Sequence, residues 1–282
     1  MRSRNGGPTS ATPARYGSLR QRLRRRLSPG DGLSPEDPAD RIQAAILADV
    51  YLATAYGEMY GALADMVPET IAGAVVEIGA GSGIGKNWIP DLTCTDVIPA
   101  STLDAVVDAC HLPYTDDSIR AFVLKDALHH IPDVTAFLDE AYRCLKPGGA
   151  VVMCEPFWGP FASLIYRTIH PEPFNKRQKD WGFSSSDAWD SNQALPWMLL
   201  RRDIDRLQTL WPNFALEERG PLLGPSYALS GGVFGRTPIP SSWLVALWRN
   251  EQRIGRILDP FRLEYAFRLV KGIDQLGIKG DS

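Results

Sequence analysis

Nine residues constrain the fold of this chain most: Val75-Val76-Glu77-Ile78-Gly79-Ala80-Gly81-Ser82-Gly83. A short β-branched run ending in an acid and then glycine predicts a buried strand. The alternating glycines permit positive φ and remove Cβ atoms, so a ligand can lie against the backbone. Ile84 to Trp88 can then open a helix. A dinucleotide fingerprint needs glycine at its first, third and sixth places, and here Ile84 holds the sixth. That departure argues against a pyrophosphate, which wants a helix N-terminus close by, and against a nicotinamide dehydrogenase.

Further segments carry the same α/β pattern. Leu92 to Asp96 reads as a strand ending in an acid, about twenty residues past the first strand, where an acid can take ribose hydroxyls. Val106-Val107-Asp108 closes a third strand, and a Leu112-Pro113-Tyr114 loop follows. Ala121 to Leu124 is the fourth strand, with Arg120 just before it. Then come Leu128-His129-His130-Ile131-Pro132-Asp133 and an amphipathic helix from Val134 to Leu145, with Phe137, Leu138 and Ala141 facing inward. Leu145-Lys146-Pro147-Gly148-Gly149 ends that helix and leads into a strand at Ala150 to Cys154.

Taken in order, these motifs over residues 74–156 resemble the class I S-adenosylmethionine-dependent methyltransferases, of the type 11-like domain group. The resemblance implies an α/β fold, a Rossmann-like seven-stranded mostly parallel sheet with helices on both faces and an antiparallel last strand. It implies S-adenosyl-L-methionine as cofactor, bound at the carboxyl ends of the strands where the strand order reverses. Glu77 would fix the methionine ammonium, directly or through the turn. Gly79, Ala80, Gly81 and Gly83 would admit the methionine moiety, and Asp96 with Val97 would meet the ribose. Asp108 with Ala109 would hold the adenine, and Leu124 and Lys125 would lie at the amino-acid end. The family usually has an acid where Arg120 stands, a departure expected to touch packing.

Candidate bases are His129, His130, Glu155 at the end of the fifth strand, and His170. Histidine titrates near neutrality and can accept a proton, which is needed only if the acceptor is a hydroxyl or an acidic C–H. His130 matches the commoner histidine of the family motif. The expected reaction is in-line methyl transfer to a small-molecule acceptor, lipid-linked or sugar-containing. A second reading is an inactive S-adenosylmethionine-binding or scaffold protein on the same fold. The acceptor atom and the oligomeric state are not readable from the sequence.

The rest of the chain frames this core. Residues 1–38 read as a disordered basic arm, acid-free to Gly30, with a basic helix at Tyr16 to Leu27; a transit peptide is the other reading. Residues 39–232 are the expected domain, opening on one helix from Asp40 to Met66 that packs beside the glycine turn; its tyrosines, Tyr51, Tyr56 and Tyr60, read as core. Residues 156–195, rich in aromatics and proline, read as a substrate-side insertion. Leu195 to Trp211 reads as one helix, and Phe214 to Glu217 with Ser226 to Ser230 as the last two strands. Residues 233–282 read as a helical extension with one helix around Trp243, Leu244, Leu247 and Trp248 and another around Leu263, Ala266, Phe267 and Val270.

A net charge of −3 gives no reason to expect nucleic acid. The four cysteines show no CxxC spacing, so neither a metal site nor a disulfide framework is expected, and a reducing, cytoplasmic setting is. Tryptophan and arginine in the tail, with the basic arm, suggest weak association with anionic membrane; packing over the core is the competing expectation.

Overall fold

The computed structural model describes residues 38–170, 172–183, 190–233, 235 and 237–272. The expected arm, save Pro38, and its basic helix lie outside these residues.

Two helices open the fold where one was expected: α1 (Pro38–Ala48) and α2 (Val50–Ala64). Asp49 divides them. Its extended backbone and its Oδ1, which accepts from the amides of Tyr51 and Leu52 at 2.8 and 2.9 Å, make it the N-cap of α2. Then come β1 (Ala74–Ile78), β2 (Leu92–Asp96), β3 (Ala105–Val106) and β4 (Ile119–Lys125). Helix α3 (Val134–Cys144) leads into β5 (Leu145–Pro156), and α4 (Pro160–Thr168) follows. After a short helical turn at Leu195–Trp197 and a wide turn at Met198–Arg202 come α5 (Ile204–Leu210), β6 (Phe214–Leu222), α6 (Pro225–Ser230), α7 (Ser241–Ile254) and β7 (Glu264–Lys271).

The sheet has seven strands in the order β3-β2-β1-β4-β5-β7-β6. The first five pair in parallel, and β7 runs antiparallel to both β5 and β6. The order turns around at β1 and β4, so a crevice opens at their carboxyl ends. One layer of core packs α3 on Phe122, Leu124, Val151, Met153 and Phe267; the other packs α2 on Val75, Ala121, Val123 and Val152. Central strands buried on both faces need apolar residues at successive positions, and β5 supplies them from Ala150 to Cys154.

Three expectations about the later chain are corrected. Ser226 to Ser230 is helix, because Pro225 starts α6 and the amide and hydroxyl of Ser226 both donate to Glu251 of α7, each at 2.7 Å. The expected helix around Leu263 to Val270 is β7, the strand between β5 and β6, so the expected C-terminal helical extension contributes a strand to the sheet. Its side chains alternate: Tyr265, Phe267 and Leu269 enter one core layer, while Ala266 and Val270 meet the other. The single helix expected from Leu195 to Trp211 is broken at Asp203, whose backbone leaves the helical region. The expected helix at Trp243 is present as α7, docked on α2 with Trp248 Nε1 donating to Glu58.

Candidate functional site

The glycine turn lies at the carboxyl end of β1. Gly79, Gly81 and Gly83 all have positive φ, at 72°, 54° and 66°. Two of them are also spoken for by the protein. A Cβ on Gly79 would come within 2.6 Å of Ala127 Cβ, and one on Gly83 within 2.7 Å of the Thr102 carbonyl oxygen. At Gly81 nothing lies within 4 Å of the position a Cβ would take. That face of the turn is open, beside Ala80.

Asp96 stands next to it. Its Oδ2 accepts from the Gly81 amide and its Oδ1 from the Ile98 amide, both at 2.9 Å. Each carboxylate oxygen retains a lone pair for a hydroxyl. Val97 is exposed alongside. The third strand's Asp108 is exposed; its Oδ1 accepts from the Cys110 amide and its Oδ2 pairs with His111 Nδ1 at 2.9 Å. The His111 bond, with the Cys110 amide, holds Asp108 below the usual carboxylate range. Ala109 follows it in the same loop.

Glu77 lies behind the turn. Its oxygens meet the Tyr60 hydroxyl at 2.7 Å and the Cys94 thiol at 3.4 Å, and a Cβ on Gly85 would come within 2.6 Å of Oε2. Tyr60 also stacks on Trp88, so this tyrosine of α2 does more than fill the core. Burial pushes the Glu77 carboxyl up to about 7. Closed off in this way, Glu77 is placed to act through the turn and not by direct contact.

The fourth strand ends in a second cluster. Leu124 is fully buried, so only its backbone can face a ligand. Lys125 turns inward over the Tyr56 ring, 4.7 Å from its centroid, and pairs with Asp126. Asp126 holds a left-handed backbone at φ 53°, a conformation that costs free energy for a residue with a side chain. Asp126 Oδ1 and Glu264 Oε2 are both buried and lack a conventional donor. Burial opposes ionisation of both, but the Lys125 cation holds Asp126 below its ordinary range while Glu264 is raised well above its own.

The expected bases converge just beyond. Glu155 is fully buried; its Oε1 accepts from the amides of Ala127 and Leu128 at 2.9 and 2.7 Å, and its Oε2 meets His129 Nδ1 at 2.7 Å. It anchors the loop after β4, and with its oxygens so occupied it is removed from the candidate bases. His129 lies between two carboxylates, with Glu172 Oε2 3.3 Å from Nε2. Burial disfavours its charge, but Glu155 and Glu172 raise it well above the ordinary imidazole range, so it holds its proton and is a poor base. His130 is lowered by burial and by the neighbouring His129, and its Nε2 lies 3.7 Å from Glu172 Oε1. His170 is lowered by burial too, and its Nδ1 faces Gln193 Nε2 at 2.8 Å.

The structure thus brings Ala80, Gly81 and Asp96 together, places Asp108 and Ala109 just past β3, and sets Lys125 at the end of β4 with His129 and His130 beyond it. Sequence reasoning missed the roles of Tyr60, Asp126, Glu172, Gln193 and Glu264. Glu172 lies two residues past His170, but its meeting with His129 crosses the insertion and leaves no local pattern.

Residues 76–153 match the family model described as "Methyltransferase domain". Over those residues the chain is similar in sequence to methyltransferase domains. A demethylmenaquinone methyltransferase of Streptomyces avermitilis is 41% identical over 68 residues, covering 23% of this chain and 27% of the relative. One from Tropheryma whipplei is 28% identical over 128 residues, 38% of this chain and 53% of the relative. A ubiquinone/menaquinone biosynthesis C-methyltransferase of a Caulobacter species is 30% identical over 111 residues, 39% and 40% of the two chains. The chain thus spans from a quarter to about half of the length of these relatives. Among solved structures, phosphoethanolamine N-methyltransferase 2 of Haemonchus contortus aligns over 77% of this chain and 53% of its own, at 16% identity and a TM-score of 0.39. The CurJ carbon methyltransferase aligns over 84% and 60%, at 12% identity and 0.44.

Proposed function

We propose that the protein transfers a methyl group from S-adenosylmethionine to a small-molecule acceptor. The observation that carries this reading is the open face of Gly81 beside the Asp96 carboxylate, at the carboxyl ends of β1 and β2. A Cβ at Gly81 would fill that cradle, which fits a ligand lying on the backbone. S-adenosylmethionine, when bound, supplies an electrophilic methyl on a positive sulfur. The chain would then hold and orient. Asp96 takes the ribose hydroxyls, Asp108 with Ala109 flanks the adenine, and Glu77 stiffens the turn from behind through Tyr60. Proximity and alignment account for most of such a catalyst's effect. Where the acceptor must lose a proton, His130, whose Nδ1 faces the Asp190 carbonyl at 3.2 Å, is the base for as long as no cation occupies its Nε2.

The acceptor class is a hydroxylated ring with an apolar body, of the quinol kind. Support comes from the names of the relatives and from the aromatic surroundings of β5 and β7, where Phe157, Trp158 and Tyr265 pack with ring centroids 4.6 to 5.3 Å apart. Such an acceptor resides in membranes. Trp243, Ile254, Ile257 and Phe261 present exposed apolar surface near Arg253 and Arg256, which suits weak contact with anionic lipid. Calorimetry with S-adenosylmethionine tests the donor; no binding at millimolar ligand sinks the reading. Turnover with a demethylated quinol and sedimentation with neutral and anionic vesicles test the acceptor and the membrane separately.

A further inference from the structure

We infer that His129, His130 and Glu172 form a binding site for one first-row divalent transition-metal cation. One ligand atom from each lies within 4.8 Å of the other two. Glu172 presents one oxygen to each imidazole, Oε2 at 3.3 Å from His129 Nε2 and Oε1 at 3.7 Å from His130 Nε2. Ligand atoms roughly 2.0–2.2 Å from a common ion stand about 3–3.5 Å apart in tetrahedral or octahedral geometry. Small side-chain shifts therefore complete the site.

The far side of each ring is already built for this role. A metal-ligating histidine gives its other N–H to a carboxylate or a backbone carbonyl, which fixes the tautomer and the ring plane. His129 Nδ1 meets Glu155 at 2.7 Å, and His130 Nδ1 meets the Asp190 carbonyl at 3.2 Å. Glu155 also fixes the backbone that carries the two rings, through Ala127 and Leu128. Gln193 Nε2 orients the Glu172 carboxylate from 3.1 Å. Gln193 itself is buried, and its Oε1 has no partner.

The contact at His130 leaves room for an ion. A carbonyl only accepts, so Nδ1 must carry the ring proton, and Nε2 of the neutral ring is an acceptor. That acceptor faces a carboxylate oxygen at 3.7 Å. At that distance the two atoms make no direct hydrogen bond, and a cation lying between them would meet both lone pairs. Two imidazoles and a carboxylate suit zinc, iron(II) or manganese, and leave positions for water or a substrate oxygen. This inference does not depend on methyl transfer and is tested without it.

The full chain is dialysed against chelator and titrated with Zn²⁺, Mn²⁺ and, anaerobically, Fe²⁺, by calorimetry in buffers of different ionisation enthalpy. The expected result is one equivalent bound, and a cobalt(II) derivative with visible d–d bands. Glu172→Gln and His130→Ala should each weaken binding by at least about tenfold, as removal of even an orienting partner does. Their metal-free melting temperatures should stay near that of the parent. A folded parent chain that binds none of the three ions at millimolar concentration overturns the site. So does undiminished one-equivalent binding in a folded double variant.

Discussion

The Tyr60 hydroxyl donates to Glu77 Oε1 across 2.7 Å, tying α2 to the strand that ends in the glycine turn. The acid of the glycine motif thus serves the turn's underside, and burial, only partly offset by Tyr60 and Cys94, raises its carboxyl to about 7.

A pH dependence follows. A carboxyl raised from 4.5 to about 7 on folding contributes stability that is fully present below the unfolded value and is lost as pH rises through the folded one. Glu77→Gln should flatten the stability profile between those two values. Above pH 7 it should be more stable than the parent by up to about 3 kcal/mol, the free energy of a shift of that size. Urea denaturation across that window checks it; a parent profile with the same slope as the variant's refutes the assignment.

Gly81→Val should fold and fail to bind S-adenosylmethionine. The new side chain would meet no protein atom at its Cβ and would stand in the ligand's place; the positive φ costs about 1–2 kcal/mol. Gly79→Ala should instead lose stability by about 1–3 kcal/mol from overpacking, on top of backbone strain, because its Cβ collides with Ala127. Melting curves and calorimetry on both variants separate the two roles, and a Gly81→Val protein that binds normally refutes the placement of the cradle.

Asp96→Ala should weaken S-adenosylmethionine by about 1–3 kcal/mol, from the loss of charge-assisted bonds to ribose hydroxyls. The variant also frees the Gly81 and Ile98 amides, which can turn to water because this end of the turn is exposed. Unchanged affinity by calorimetry would place the ribose elsewhere.

The first five strands were legible because each is a short apolar run closed by an acid or by glycine, and each lies near its partner along the chain. Asp96 beside Gly81 was legible for the same reason. Two kinds of feature were not. Leu263, Ala266, Phe267 and Val270 fit a helical spacing as well as Tyr265, Phe267 and Leu269 fit a strand, and only pairing with β5 and β6 selects the second. Glu264 was hidden by that ambiguity. The roles of Glu155 and Glu172 depend on contacts across the sheet and the insertion, so the sequence offered Glu155 as a base when its oxygens hold a loop.

The placement of β7 yields the sharpest stability test. It lies between β5 and β6, and Tyr265, Ala266, Phe267 and Leu269 are buried. A chain ending at Arg262 would lose the strand that joins β6 to the sheet and would uncover both core layers. It should show no cooperative melting, although it keeps every residue of the glycine turn and of the His129 cluster. Phe267→Ala should fold but lose about 3–5 kcal/mol, as large-to-small changes in a packed core do. Lys271 adds a clamp at the far end, its Nζ donating to the carbonyls of Tyr142 and Leu145, each at 2.8 Å. If the truncated chain melted cooperatively near the parent's temperature, β7 would be a dispensable appendage, and the pairing with β5 would not be what holds the carboxyl edge in place.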